Sequence, residues 1–482
     1  LRRSFVRVCT RSFSLLALAS LACGTTATIA DPPPPDDGRP VTAPTPDAGA
    51  PIPSDAAPGL DATPPAPDAA PLACPPGTPG AFERITVDVA APGASFVGVV
   101  DLDGDGQKEI VASLFGAVAG LAIPSGEVRA YKRGASLAQW TASPIVPVTE
   151  GIKFPNRTTV ADVDGDGDLD VIVPFGFLAC TAIPLGAPCG GLAWFERTGP
   201  GPTGWVRHDV VASGAPLFYH GAVFVDFDGD GVKDLVTVGE AKGGLGGADR
   251  AEAQWFRGTA GPARFESSAR KIGDGLGSFP TVVDLDGDGD LDVASAEFFV
   301  PKGSFAWLER TGPMTFTRRV LDDTSGPAIS LSLVPGLYGD GRLLGVGTNH
   351  VNTAKVPPDS EAEGVFVLEP GADVRQRWSA RRISTGLKSR PGSLFAPQGA
   401  PGMVAYGDLD GDGDIDLALS GDGDARIFWL EQTAKGCWAT HEIARELGQA
   451  GGLELADLDG DGAPEIVVPV YESNAIYIFK RK

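Results

Sequence analysis

The chain has 482 residues, with 62 acidic against 39 basic side chains, a formal net charge of −23 at pH 7 and a pI near 4.5. That balance, with no basic stripe along the chain, excludes nucleic acid as the natural partner. Past residue 23 no apolar run is long enough to cross a bilayer as a helix, so membrane contact is expected only through an anchor near the N-terminus.

Arg2, Arg3, Arg7 and Arg11 precede an apolar run over 13–22, the pattern of a signal peptide over 1–22. The Arg2-Arg3-Ser4-Phe5 start is similar to a twin-arginine export signal. Residues 20–24, SLACG, resemble a bacterial lipobox and make Cys23 a candidate for lipidation; cleavage near Ala22 or Ala30 is the alternative. From 24 to 80 the chain is mostly Pro, Ala, Asp and Thr, too poor in large apolar side chains to fold. Residues 23–80 therefore read as a disordered tether. At about 3.1 Å per extended residue it can hold the rest of the chain as far as ~150 Å from an anchor.

From residue 81 the chain repeats. Six times it reads Asp-x-Asp-Gly-Asp-Gly-x-x-Asp/Glu, starting at Asp101, Asp162, Asp226, Asp284, Asp408 and Asp457. The spacings are 61, 64, 58, 124 and 49 residues, and the long one spans two periods. A worn copy at 336–344, GLYGDGRLL, keeps Gly339, Asp340 and Gly341 but lacks the other carboxylates. Seven units are expected, six of them able to hold a metal.

Carboxylates at positions 1, 3, 5 and 9 can converge on one hard cation, with the position 7 carbonyl beside them and glycines allowing the wrap. The candidate ligand sets are Asp101, Asp103, Asp105, Gln107 and Glu109; Asp162, Asp164, Asp166, Asp168 and Asp170; Asp226, Asp228, Asp230, Val232 and Asp234; Asp284, Asp286, Asp288, Asp290 and Asp292; Asp408, Asp410, Asp412, Asp414 and Asp416; and Asp457, Asp459, Asp461, Ala463 and Glu465. About six Ca²⁺ ions are expected, and the loops hold 27 of the 62 carboxylates.

Each unit has room for four short strands, a to d, with strand a before the loop and strand b after it. Strand c carries an aromatic or aliphatic mark, recurring at Tyr131, Phe195, Phe256, Leu308, Leu368, Leu430 and Phe479. Strand d carries an aromatic followed, usually five residues on, by an aliphatic, as in Trp205/Val210 and Trp438/Ile443. One such mark, Phe82/Val87, precedes the first loop, and the chain stops just after its last strand c. The expected fold is all-β: a seven-bladed β-propeller over 81–482, whose segment 81–90 is the outer strand of the last blade.

These repeats resemble the FG-GAP and VCBS-type repeat propellers, to which the integrin alpha-subunit propeller is similar. The resemblance implies calcium in the a–b loops. It implies no catalytic residues and no bound organic cofactor, and it leaves the reaction, if any, open.

Setting aside Cys9 and Cys23, four cysteines remain, an even number suited to an oxidising compartment. Cys180 and Cys189 share one loop, while Cys74 and Cys437 each precede a strand d of neighbouring blades. The expected pairs are 180/189 and 74/437 among three possible pairings.

The b–c loops are long and irregular while the a–b loops are uniform, so a ligand is expected on the b–c/d–a face. Near its axis the candidates are Asn156, Arg157, Tyr219, His220, Glu240, Glu297, Asn349, His350, Tyr471 and Glu472, with Tyr219 stacking and Arg157 pairing an anion. His208 and His441 follow the strand d pattern. The expected function is that of a monomeric, exported or surface-anchored module that binds a glycan or a protein. A polysaccharide-active enzyme using Glu240 and Glu297, or a structural part of an envelope assembly, are the alternatives.

Overall fold

The structure, a computed structural model, describes residues 74–116, 123–177, 180, 187–199, 204–241, 249–298, 303–349, 363–388 and 400–482. Cys23 and His350 lie outside the described residues, as does all of the tether before Cys74.

Seven four-stranded antiparallel sheets follow one another along the chain. Blade 1 runs Ala94–Val100, Glu109–Leu114, Glu127–Arg133 and Trp140–Val146 from strand a to strand d. Blade 2 runs Thr159–Ala161, Asp170–Phe175, Gly190–Arg197 and Trp205–Ala215; blade 3 runs Phe218–Val225, Asp234–Ala241, Arg250–Phe256 and Arg270–Asp274. Blade 4 comprises Thr281–Val283, Asp292–Ala296, Phe305–Gly312 and Thr315–Asp322, and blade 5 comprises Ala328–Pro335, Leu343–Asn349, Val365–Glu369 and Ser379–Arg382. Blade 6 is Ala400–Gly407, Asp416–Asp422, Ile427–Ala434 and Cys437–Ala444. Blade 7 takes Glu454–Ala456, Glu465–Val470 and Ala475–Arg481 from the end of the chain and Phe82–Asp88 from its beginning, with Phe82 opposite Arg481 and Arg84 opposite Phe479.

The apolar pattern explains the stacking. Strand b is buried along its whole length, as in Glu109–Leu114 and Asp170–Phe175, because a neighbouring blade covers each of its faces. Strand c points successive side chains to opposite faces. Trp194 therefore packs with Leu235 and Phe256 of blade 3, while its neighbour Phe195 packs with Val111 and Ile145 of blade 1. Trp194, Trp255, Trp307 and Trp429 are among the largest fully buried side chains. Seven apolar clusters fill the seven interfaces, and the one joining Val467, Ile476 and Ile478 to Val97, Ile110 and Tyr131 closes the ring. The sheets remain separate, each with strand a as its inner edge on the axis and strand d as its outer edge, and closure leaves those edges short and shielded by the neighbouring blades.

Both disulfides form. Cys74 joins Cys437 across 363 residues with Cα atoms 5.3 Å apart, and Cys180 joins Cys189 at 6.0 Å. The first ties the approach to the closing strand onto strand d of blade 6. Thr78 N–H then donates to Glu431 Oε2 at 2.9 Å, and Lys482 N–H to Ala81 O at 2.9 Å.

Candidate metal centres

All six acidic loops lie between strands a and b, at the same end of each blade, and share one hydrogen-bonded frame. The first carboxylate folds the loop over itself by accepting glycine N–H groups. Asp162 takes those of Gly165 and Gly167 at 2.6 and 3.2 Å, and Asp457 those of Gly460 and Gly462 at 2.7 and 2.9 Å. Gly165 and Gly167 sit at φ of 78° and 97°, a region that glycine enters without steric cost. The ninth carboxylate reaches back to the second residue's N–H at 2.8 to 3.1 Å in every loop. In four blades its other oxygen accepts an N–H from the end of strand c: Arg197 at 2.8 Å, Gly258 at 2.6 Å, Arg310 at 2.8 Å and Gln432 at 2.8 Å.

This frame gathers charge. Carboxylate oxygens of Asp162, Asp164 and Asp170 lie within 4.8 Å of one another, as do those of Asp101, Asp103 and Glu109, of Asp284, Asp286 and Asp292, and of Asp408, Asp410 and Asp416; in blade 3 the trio is Asp226, Asp228 and Asp230. Burial, against the pull of backbone N–H groups, pushes Asp170 up to about 6 and Asp292 and Asp416 to about 7. At position 7 the N–H groups of Gln107, Val232 and Ala463 bond the fifth carboxylate at 2.8, 2.8 and 3.0 Å.

The residues present fit a divalent cation. The donors are hard oxygens without nitrogen or sulfur among them, as Ca²⁺ and Mg²⁺ require. Asp101 Oδ1 and Glu109 Oε1 are buried with no hydrogen-bond partner, and Glu109 is 3 % exposed. The worn loop in blade 5 is different in kind. Its one carboxylate, Asp340, is held down to about 2 by Lys435 at 3.0 Å and Arg342 at 2.9 Å.

Neighbouring blades clasp these loops, which the sequence reading missed. Arg197 Nη1 donates to Leu102 O of the preceding blade at 2.6 Å, Arg310 Nη1 to Phe227 O at 2.6 Å, Gln432 Nε2 to Leu337 O at 3.0 Å and Arg481 Nη1 to Asp410 O at 2.9 Å. The signal was there in the residue two places after the strand c mark, Phe195, Leu308, Leu430 or Phe479, but its reach into the next loop is tertiary.

On the opposite face the candidate ligand residues mostly serve the fold. Asn156 is fully buried, and its Nδ2 donates to the carbonyls of Phe154, Gly176 and Tyr219 at 3.1, 2.9 and 3.1 Å. Tyr219 is 2 % exposed, with its hydroxyl on Gln254 Oε1 at 3.0 Å, so its ring lies in a blade interface and presents no stacking face. His220 Nδ1 meets Glu240 Oε2 at 2.8 Å with both side chains buried. Glu297 accepts from Ser304 Oγ at 2.6 Å and from Arg318 Nε at 2.9 Å. Asn349 bonds Ser325 O and Gly364 N–H; Tyr471 bonds Gln449; Glu472 accepts the Gln449 N–H at 2.9 Å. Among the described members of this set Arg157 alone is half-exposed, 4.0 Å from Glu454 inside the axial channel.

What does open on that face is an aromatic funnel on the axis, with a cavity of about 120 Å³, lined by Phe96, Phe115, Phe177, Phe279, Phe298 and Met403 among others. Phe96 of blade 1 and Phe279 before blade 4 meet across the ring with centroids 5.5 Å apart. His208 and His441 stay with strand d, bonded to Glu196 at 2.7 Å and Glu431 at 2.6 Å.

The fold and the loops define an FG-GAP-repeat β-propeller. Residues 408–468 match the FG-GAP-like repeat family, and the same loop stands in five of the other six blades. Two solved structures of BBS1N in complex with ARL6DN, soaked with lead and with mercury, are similar to this chain at 11 % identity, covering 84 % of it and 98 % of theirs, with TM-scores of 0.47 and 0.45. No curated protein sequence matches the chain.

Proposed function

We propose that this propeller is a calcium-stabilised binding module, exported from the cell and held at its surface or released, that engages a glycan or a protein through the axial face opposite its acidic loops. The observation that carries the reading is the aromatic funnel. A closed ring has no need to gather half-buried phenylalanines from different blades at one end of its axis, and such a concave apolar site with a few polar groups is what ligands occupy. Export is supported by the two disulfides, which persist in oxidising compartments. An anchor at Cys23 followed by the proline-rich tether would keep the module at the cell surface.

Calcium enters as a scaffold. When bound, it supplies the positive charge that buried carboxylates lack, so that the a–b turns of six blades become rigid. The chain's own part is to hold those oxygens in place through glycine N–H groups and the strand c amides.

The test is a glycan array and a pull-down from envelope extract, each run with the full chain and with Phe115→Ala and Phe279→Ala variants. Loss of a ligand that the unaltered chain retains, with melting unchanged, supports the axial site. A ligand held equally by both variants but lost on neutralising exposed loop carboxylates such as Asp168 would move the binding surface to the other face.

A further inference from the structure

We propose that the six loops are of two kinds: those of blades 2, 4 and 6 take calcium tightly, while those of blades 1, 3 and 7 carry a built-in side-chain cation and take it weakly. The inference rests on the reading of the loops as calcium sites and concerns how this chain divides them.

Two positions far apart in the repeat change charge together. One is loop position 7, and the other is the residue just after the strand c mark. Where position 7 is Asp168, Asp290 or Asp414, the strand c residue is Glu196, Glu309 or Glu431. Where position 7 is the uncharged Gln107, Val232 or Ala463, the strand c residue is Lys132, Arg257 or Lys480. All six loops obey the rule.

The geometry explains the coupling. Lys480 Nζ lies 2.7 Å from Asp459, 2.6 Å from Asp461 and 2.9 Å from Glu465, so an ammonium occupies the middle of the carboxylate cluster. Lys132 does the same for Asp103 and Asp105, the latter at 2.7 Å, and Arg257 Nε reaches Asp228 at 2.6 Å while its Nη2 bonds Asp230. The worn blade shows that the two positions are neighbours, since Arg342 at position 7 pairs with Glu369 at the strand c position, 3.5 Å apart.

In blades 2, 4 and 6 those same neighbouring positions carry two like charges beside an already crowded cluster. The glutamates are partnered, Glu196 and Glu431 by hydrogen bonds with His208 and His441, and Glu309 by ion pairs with Arg319 and Arg375. Of these three blades, only in blade 4 does a side-chain cation among the described residues also touch a loop carboxylate, Arg375 to Asp286 at 2.5 Å. In blades 2 and 6 the arginines of the next blade, Arg264 and Arg481, take the backbone carbonyls of Asp164 and Asp410 instead. Adding like charge where opposite charge costs one substitution is reasonable chemistry only if a divalent ion resides there. A bound ammonium must first be displaced from the other three loops, and the ion then meets a smaller net charge. In blade 1, Lys132 still leaves Glu109 Oε1 without a partner, so affinity is lowered and not abolished.

Calcium chloride titrated by calorimetry into the chelator-stripped full chain, with bound ions counted by mass spectrometry, should give two steps of about three ions each, blade 4 the last of the first step. In the Lys132→Gln/Arg257→Gln/Lys480→Gln variant the second step should tighten by about tenfold or more, as expected from removing a charge at contact distance. Lys480→Arg should leave the profile unchanged. In chelator the triple variant should melt below the unaltered chain, and calcium should restore it. Six equivalent ions in the unaltered chain would overturn the division and leave the calcium reading standing, and that titration decides even if the variant fails to fold. A second step unmoved in a folded triple variant would likewise overturn it. No bound ion at all would overturn the calcium reading, and this inference with it.

Discussion

Reduction of Cys74–Cys437 should weaken the closure of the ring more than reduction of Cys180–Cys189 disturbs its loop. The first crosslink spans 363 residues and the second nine. If a disulfide acts mainly by restricting the unfolded chain, the long one is worth about 5 kcal/mol at the upper end and the short one about 2.5 kcal/mol. In the native state Cys437 is buried at 3 % exposure, and the segment it captures leads directly into the strand paired with Ala475–Arg481. Losing the bond leaves the strand's ladder and the Thr78–Glu431 contact to hold the seventh blade shut. The assay is thermal melting of Cys74→Ser/Cys437→Ser beside Cys180→Ser/Cys189→Ser, with amide exchange followed over 82–88 and 475–481. The first variant should melt several degrees lower and exchange faster in both strands; the second should lose about half as much, with those strands as protected as before. Equal melting in the two variants, or full protection of 82–88 in the first, would refute the latch.

Three more outcomes are expected. Stripping with chelator should lower the melting temperature, and calcium should restore it, because the crowded carboxylates repel once uncompensated; unchanged melting would mean the loops are metal-free turns. Stability should fall on acidification below the ordinary carboxylate range: burial pushes Glu297 and Asp322 up, but hydrogen bonds from Ser304 and Arg318 to the first, and from Ser325 and Thr324 to the second, outweigh it and hold both low. Because their folded values are depressed, their stabilisation is present above the unfolded values and lost as pH falls through the folded ones, so Glu297→Gln should flatten the acid limb of a melting-versus-pH curve in calcium-loaded protein. Gly347→Ala would drive a Cβ into the Phe305 ring of the neighbouring blade and should cost about 1–3 kcal/mol in urea unfolding.

What could be read from sequence was whatever is local or repeated. The acidic loops are turns whose glycines and carboxylates bond within nine residues, so their positions follow from spacing alone, and paired aromatic marks such as Trp194-Phe195 announce a strand buried on both faces. Repetition then counts the blades, since each unit can bury its faces only against copies of itself. The axial face was legible only in part, for Asn156, His220 and Tyr471 do line the funnel. Asn156, Tyr219 and Glu240 look like ligand groups in the sequence, yet the turns that enter strand a bring carbonyls and hydroxyls inward, and those buried groups must be satisfied by side chains of this kind. Phe96 and Phe279 become neighbours only because the ring closes, and Lys480 enters the carboxylate cluster only because strand c runs beside the loop. The chain's local chemistry determined the elements and their number; ring closure decided which distant residues share an axis, a pocket or a charge, because those contacts exist only after every blade has packed.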